Sequence, residues 1–240
     1  MQFRFPRLTP TVKKLLIFLG AMFVAVSVVQ IVADVPVFQW LALRVSFTDG
    51  QLLGLAWQPL TYWAVEPPVP GSLLNVALTL LMIYFFLSPF EEAFGPKRAL
   101  QLAGVGIVAG ALAAVALAFV WPRAMPVSGA SVIAAASFGA FPTVFRGREI
   151  ILFPLMIPLK AWTAVLIGLG ITALMSLLNR DPYIFAMDAS AIGAGFGFAK
   201  WMTRPRTPKS DPKKRRRRSG PDLKVLRGGA DDDDRPRWLN

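Results

Sequence analysis

Three side chains carry whatever chemistry the apolar part of this 240-residue chain can perform: Ser131, Asp188 and Lys160. Ser131 closes the small-residue run Ser128-Gly129-Ala130-Ser131. A hydroxyl there becomes a nucleophile only beside a base that accepts its proton. Asp188 and Lys160 are the ionisable residues near the apolar spans, so the conceivable pairs are Ser/Asp and Ser/Lys, and a small polar packing residue is the other reading of Ser131. The chain has no His and no Cys. That excludes Ser–His and Cys–His nucleophiles, His-ligated zinc, haem with a His axial ligand, iron–sulfur clusters and disulfides. No cofactor and no metal site is expected.

The elements that must position these residues are apolar. Hydrophobic residues make up 55% of the chain and charged residues 17%, against about 45–50% and about 25% in a soluble domain. A bilayer core of about 30 Å takes about 20 mostly apolar residues per helix. Six charge-poor runs meet that length: Leu15–Ala33, Leu73–Phe90, Ala99–Trp121, Pro126–Phe145, Ala161–Leu178 and Ile184–Met202. The first follows Lys13 and Lys14 as a signal peptide would, but its apolar core exceeds the usual ~7–15 residues, so it is read as a retained helix. An all-α membrane domain of six spans over residues 15–203 is the expectation, with an N-terminal tail at 1–14 and a further tail at 204–240.

The basic residues orient it. With the N-terminus in the cytoplasm, 23 of the 26 Lys and Arg face inward, and only Arg44, Arg123 and Arg180 lie outside. This bias satisfies the positive-inside rule and places both termini in the cytoplasm of an integral multi-pass protein, expected in a bacterial inner (plasma) membrane. The external segment 34–72 holds Phe38, Trp40, Phe47, Trp57, Tyr62 and Trp63, and such aromatics favour the headgroup level. It is read as a loop that dips into the membrane. The tail carries Lys213, Lys214, Arg215, Arg216, Arg217 and Arg218, then Asp231–Asp234. It is expected to be disordered, with its basic run on anionic lipid headgroups in preference to nucleic acid.

Several stretches together resemble the rhomboid superfamily. Trp57-Gln-Pro-Leu-Thr61-Tyr62 resembles the family's W-[RQ]-x-x-T-Y loop block, and Glu91-Glu-Ala-Phe-Gly95 its E-x-x-x-G at the end of the second span. Gly129-Ala130-Ser131 resembles the nucleophile block G-x-S-G, and Gly193-x-x-x-Gly197 the glycines of H-x-x-G-x-x-x-G in the sixth span. Arg146…Leu152-Phe-Pro…Ile157-Pro-Leu-Lys160 is similar to the connection into the fifth. The resemblance implies a six-helix bundle, opening laterally near the second and fifth helices, that hydrolyses peptide bonds within the membrane.

The same resemblance implies that the machinery is incomplete. Counting back from Gly193 and Gly197 places the catalytic His at Ser190, which cannot serve as a general base. Val132 replaces the glycine after the nucleophile, and its branched side chain is expected to crowd a tight backbone site. The second span should offer a His and an Asn to the oxyanion. Counting back from Glu91 gives Asn75 and Thr79; a shifted register gives Gly71 and Asn75. The reading is a pseudoprotease in which Ser131 is a vestigial nucleophile position. Gly129, Asn75, Thr79, Ser190 and the Trp57, Thr61, Tyr62 loop would form a cavity for transmembrane segments of client proteins. Asn75, Thr79 and Ser190 are also read as interhelical hydrogen-bond groups. The pairs Gly106/Gly110 and Gly193/Gly197 are read as packing faces, and Asp188 as a functional intramembrane acid or a solvated helix end. An active serine endopeptidase using Ser131 and an unconventional base is the alternative. A transporter lacks support, since no internal repeat or paired buried charge is visible.

Overall fold

A computed structural model describes residues 6–44, 56–121, 126–144, 149–152 and 157–204. The basic run Lys213–Arg218, the acidic run Asp231–Asp234, and Arg123, Arg146 and Arg148 lie outside the described residues. Chain order is α1 (Pro10–Ala33), α2 (Val37–Leu41), α3 (Gln58–Thr61) with a 3-10 turn at Tyr62–Ala64, and α4 (Ser72–Phe94). There follow α5 (Pro96–Ala118), α6 (Ser131–Val144), the strands β1 (Glu149–Leu152) and β2 (Ile157–Lys160), α7 (Ala161–Leu178) and α8 (Pro182–Met202).

Among the described residues, four helices, α1, α4, α5 and α7, are long and apolar enough to cross a membrane. Their outward residues are apolar too: Val24, Leu78, Leu112, Leu166 and Leu174 are all exposed. A helix that is apolar all round suits lipid rather than water. Against an all-α expectation, the connection into α7 holds a short antiparallel hairpin, in which Glu149 pairs with Lys160 and Leu152 with Ile157.

The first span begins earlier than its charge-free run, because Lys13 and Lys14 lie on the exposed side of the first turns. Pro10 sits at the start, where its missing N–H costs nothing. The cap comes from another helix. Glu91 of α4 accepts hydrogen bonds from Thr9 Oγ1 at 2.5 Å, the Thr11 N–H at 3.2 Å and the Val12 N–H at 3.0 Å. A carboxylate at a helix N-terminus satisfies orphan donors and complements the dipole. Gly95, at φ 83°, then ends α4 and starts α5.

The fourth span departs most from expectation. Residues 126–130 are not helical. Leu43 and Val127 exchange backbone hydrogen bonds of 2.9 and 2.8 Å as an isolated bridge, and the Gly129 N–H donates to Tyr62 O at 3.0 Å. Pairing with the external loop keeps this stretch extended, so α6 starts only at Ser131. The helix is the hub of the bundle, packing on α8, α4 and α5, and Val132, Ile133, Ala136 and Ala140 are wholly buried.

Among the described glycines, the tightest approaches are those between α6 and α8. A Cβ added to Gly139 would stand 2.1 Å from Ile192 O, and one added to Gly195 would stand 2.0 Å from Ala136 O. Only glycine permits that approach. It is Gly195, with buried Ala191 and Ala199, that forms the packing stripe of α8. Gly193 and Gly197, expected as a packing face, meet nothing within 4 Å. Gly106 and Gly110 do lie close to a neighbour, α6, through Val132 and Ala136.

Candidate functional site

Ser131 is the first residue of α6, and its Oγ donates a 2.9 Å hydrogen bond to Asp188 Oδ1 of α8. Both side chains are half-buried. They border a cavity of about 340 Å³ among α4, α6, α7 and α8. Thr79 and Thr172 are its other polar residues; Leu78, Met82, Phe138, Ile167 and Ile171 make most of the wall. Among the described residues, no Lys or Arg lines it. Met82 and Ile171 are about half exposed, and α4 and α7 flank the space without packing closely on each other. The cavity is therefore a cleft that opens sideways through an apolar rim.

Ser190 is not part of it. Its Oγ donates to Met187 O at 2.8 Å and Ala109 O at 3.1 Å, which turns it toward α5. The register explains why. Counting back seven from Gly195, which meets Ala136 of α6, and three from buried Ala191 lands on Asp188. Two residues along a helix is about 200° of rotation, so a frame two residues out points to the opposite side. Asp188, not Ser190, stands opposite Ser131.

Val132 corrects a second expectation. Its side chain does not crowd the face of Ser131 but is fully buried against α5, where a Cβ on Gly110 would come within 2.6 Å of Val132 Cγ1. The glycine absent after the serine is matched by a glycine on the neighbouring helix. On α4, Thr79 lines the cavity while Asn75 is exposed. Gly71 is the residue before α4, at φ 91°, and lines no part of the cleft.

The external loop holds the Ser131 end in place. Thr61 Oγ1 donates to Leu41 O at 2.7 Å, Trp57 Nε1 to Trp40 O at 2.9 Å, and the Arg44 N–H to Gln58 Oε1 at 2.9 Å. Tyr62 is wholly buried and its hydroxyl donates to Ile107 O of α5 at 2.6 Å. Thr61 and Tyr62 are thus brackets of the loop rather than lining of the cleft.

One residue of this frame escaped the sequence reading. Glu66 packs against Gly129, whose added Cβ would stand 2.8 Å from Glu66 Oε1. Its carboxyl is pushed up to about 7, chiefly by burial, with an opposing hydrogen bond from the Ala130 backbone. Gly129 is needed twice over, for that contact and for its φ of 122°. The available signal was an acid in an apolar stretch, directly before Pro67 and Pro68.

Lys160 is exposed at the start of α7, at the opposite end of that helix from Arg180 and the α8 start. It takes no part in the cleft. Ser131 and Asp188 therefore stand together with a hydroxyl donating to a carboxylate. That pair can hold a polar guest or, with a strong enough base, activate the serine.

No curated protein matches the chain. The sequence model of the Rhomboid domain matches residues 56–205, a stretch that runs from the loop block through α8 and contains Thr61, Glu91, Ser131 and Asp188. With well over half of its length matched, the chain belongs to the rhomboid family.

Proposed function

We propose that this rhomboid-family protein accepts a transmembrane segment of another protein sideways, between α4 and α7, and holds it without cutting it. The observation that carries the reading is the cleft: an apolar-rimmed cavity of about 340 Å³ whose polar floor is Ser131, Asp188 and Thr79. An apolar rim admits a helix that already lies in lipid. A serine whose one ionisable neighbour among the described residues lining the cleft is a carboxylate, in a chain without histidine, lacks the imidazole that peptide hydrolysis needs near neutral pH. Ordinary carboxylates are about two to three powers of ten weaker as bases than imidazole.

Six spans complete the architecture. α8 has 21 residues, about 31 Å at 1.5 Å each. α6 has only 14, but neighbouring helices shield it from lipid. Charge bias supports both termini in the cytoplasm, with Ser131 near the outer face, and the Lys213–Arg218 run on anionic headgroups.

The test uses the full chain in liposomes, carrying a photo-reactive residue at Met82, mixed with a synthetic single-span peptide. Crosslinking to intact peptide is expected, with no labelling of the protein by a serine-directed fluorophosphonate. Labelling that disappears in Ser131→Ala would overturn the reading. That result would establish the second one, an endopeptidase using Asp188 as base, for which the 2.9 Å Ser131–Asp188 bond is the favouring observation.

A further inference from the structure

Asp188 is the one ionisable side chain among the residues that line the cleft. Its carboxylate receives a single hydrogen bond among the described residues, from Ser131 Oγ to Oδ1. An ionised carboxylate offers about four acceptor positions, so most of its capacity is left unused by the described residues, and the side chain borders a cavity walled by Met82, Phe138, Ile167 and Ile171. Among the described residues no Lys or Arg lines the space, so none of their cations fills it. Intramembrane acids are costly and ordinarily pair with a partner charge or donor. The partner here has to arrive with the guest.

We infer that the cleft selects client segments that carry a basic residue, lysine or arginine, within the span. This rests on the reading of the cleft as a client site and names the chemistry it recognises. A lysine in lipid has few partners, and an open carboxylate behind an apolar rim gives it one without exposing the rest of the helix to water. The depth follows from the fold. Asp188 is the seventh residue of α8, about 9 Å along the helix from its first residue. The client's basic residue lies at that depth, measured from the end of the bundle where α6 and α8 begin. Thr79 and Thr172 offer hydroxyls on the flanking helices, so the guest's cation meets polar groups on α4, α6, α7 and α8 together.

The chain has no cysteine, so Leu178→Cys at the exposed end of α7 takes a single dye. Energy transfer from labelled single-span peptides in liposomes then gives affinities for the full chain. Three otherwise identical poly-Leu/Ala peptides are compared: one with lysine at the matched depth, one with that lysine near the opposite end, and one without it. The matched peptide is expected to bind about tenfold tighter than the other two. Asp188→Asn is expected to bring the three within about threefold of each other. Equal binding of the three peptides to the unaltered protein overturns the inference while leaving the cleft as a client site. Binding of none overturns both. Should Asp188→Asn fail to fold, Ser131→Ala serves instead: freeing Oδ1 of its internal donor is expected to widen the lysine preference, and a narrowed preference counts against the inference.

Discussion

Ser131 Oγ and Asp188 Oδ1 are 2.9 Å apart, with the hydroxyl as donor. The pair joins the first residue of α6 to the seventh of α8. Gly139 and Gly195 bring those helices backbone to backbone, so the separation of the two helices that carry the pair is set by main-chain contact.

A base in place of the carboxylate should therefore find the serine. Asp188→His puts an imidazole on the same face of α8, close to Ser131. Fluorophosphonate labelling, expected to be absent in the unaltered protein, should appear in Asp188→His and vanish in the double variant with Ser131→Ala. A silent Asp188→His protein that still folds would show that more than the base is missing.

The α6–α8 contact makes its own prediction. Gly195→Ala and Gly139→Ala each force a methyl into backbone atoms about 2 Å away, and a rigid backbone cannot yield as a flexible side chain can. Each is expected to cost about 3 kcal/mol or more in detergent unfolding. Gly193→Ala and Gly197→Ala, which meet nothing within 4 Å, should stay within about 0.5 kcal/mol.

That contrast also locates what the sequence could and could not say. Apolar length and charge placed the elements: the fifth span coincides with α7, and the sixth is out by two residues at its start. Rotation about each helix axis was not legible. Gly193 and Gly197 announce a packing face by type, yet Ala191, Gly195 and Ala199 are the residues that pack. A small-residue pattern two positions away is equally regular, and only the partner helix decides between the two. The same ambiguity put Ser190, rather than Asp188, opposite Ser131. Val132 was misjudged because its fit depends on Gly110, 22 positions earlier in the chain. A run of apolar residues likewise does not reveal that Val127 pairs with Leu43 and delays the start of α6.

The cap on α1 is a long-range device with a measurable cost. Glu91 is buried and accepts three hydrogen bonds from Thr9, Thr11 and Val12. Removing it strands those donors and unfastens α1 from α4. Glu91→Ala is expected to lose about 2–4 kcal/mol in unfolding. Glu91→Gln keeps an acceptor of similar shape and should lose about half as much.

Glu66 ties stability to pH, and the sign follows from its raised value. The carboxyl titrates near 7 in the folded chain, against 4.5 ordinarily, because burial disfavours its charge. Between those values the folded protein holds a proton that the unfolded chain releases. Its contribution is therefore complete below about pH 4.5, declines as pH rises and is lost above about 7, amounting to roughly 2–3 kcal/mol across the window. Glu66→Gln, which cannot ionise, should remove that slope: the difference in unfolding temperature between Glu66→Gln and the unaltered protein is expected to grow from pH 5 to pH 7.5 in favour of the glutamine. The same charge sits against Gly129 and Ala130, directly before Ser131. Crosslinking from the cleft should consequently weaken over the same range in the unaltered protein and hold steady in Glu66→Gln. A slope that persists in the glutamine variant would assign the pH response to another group.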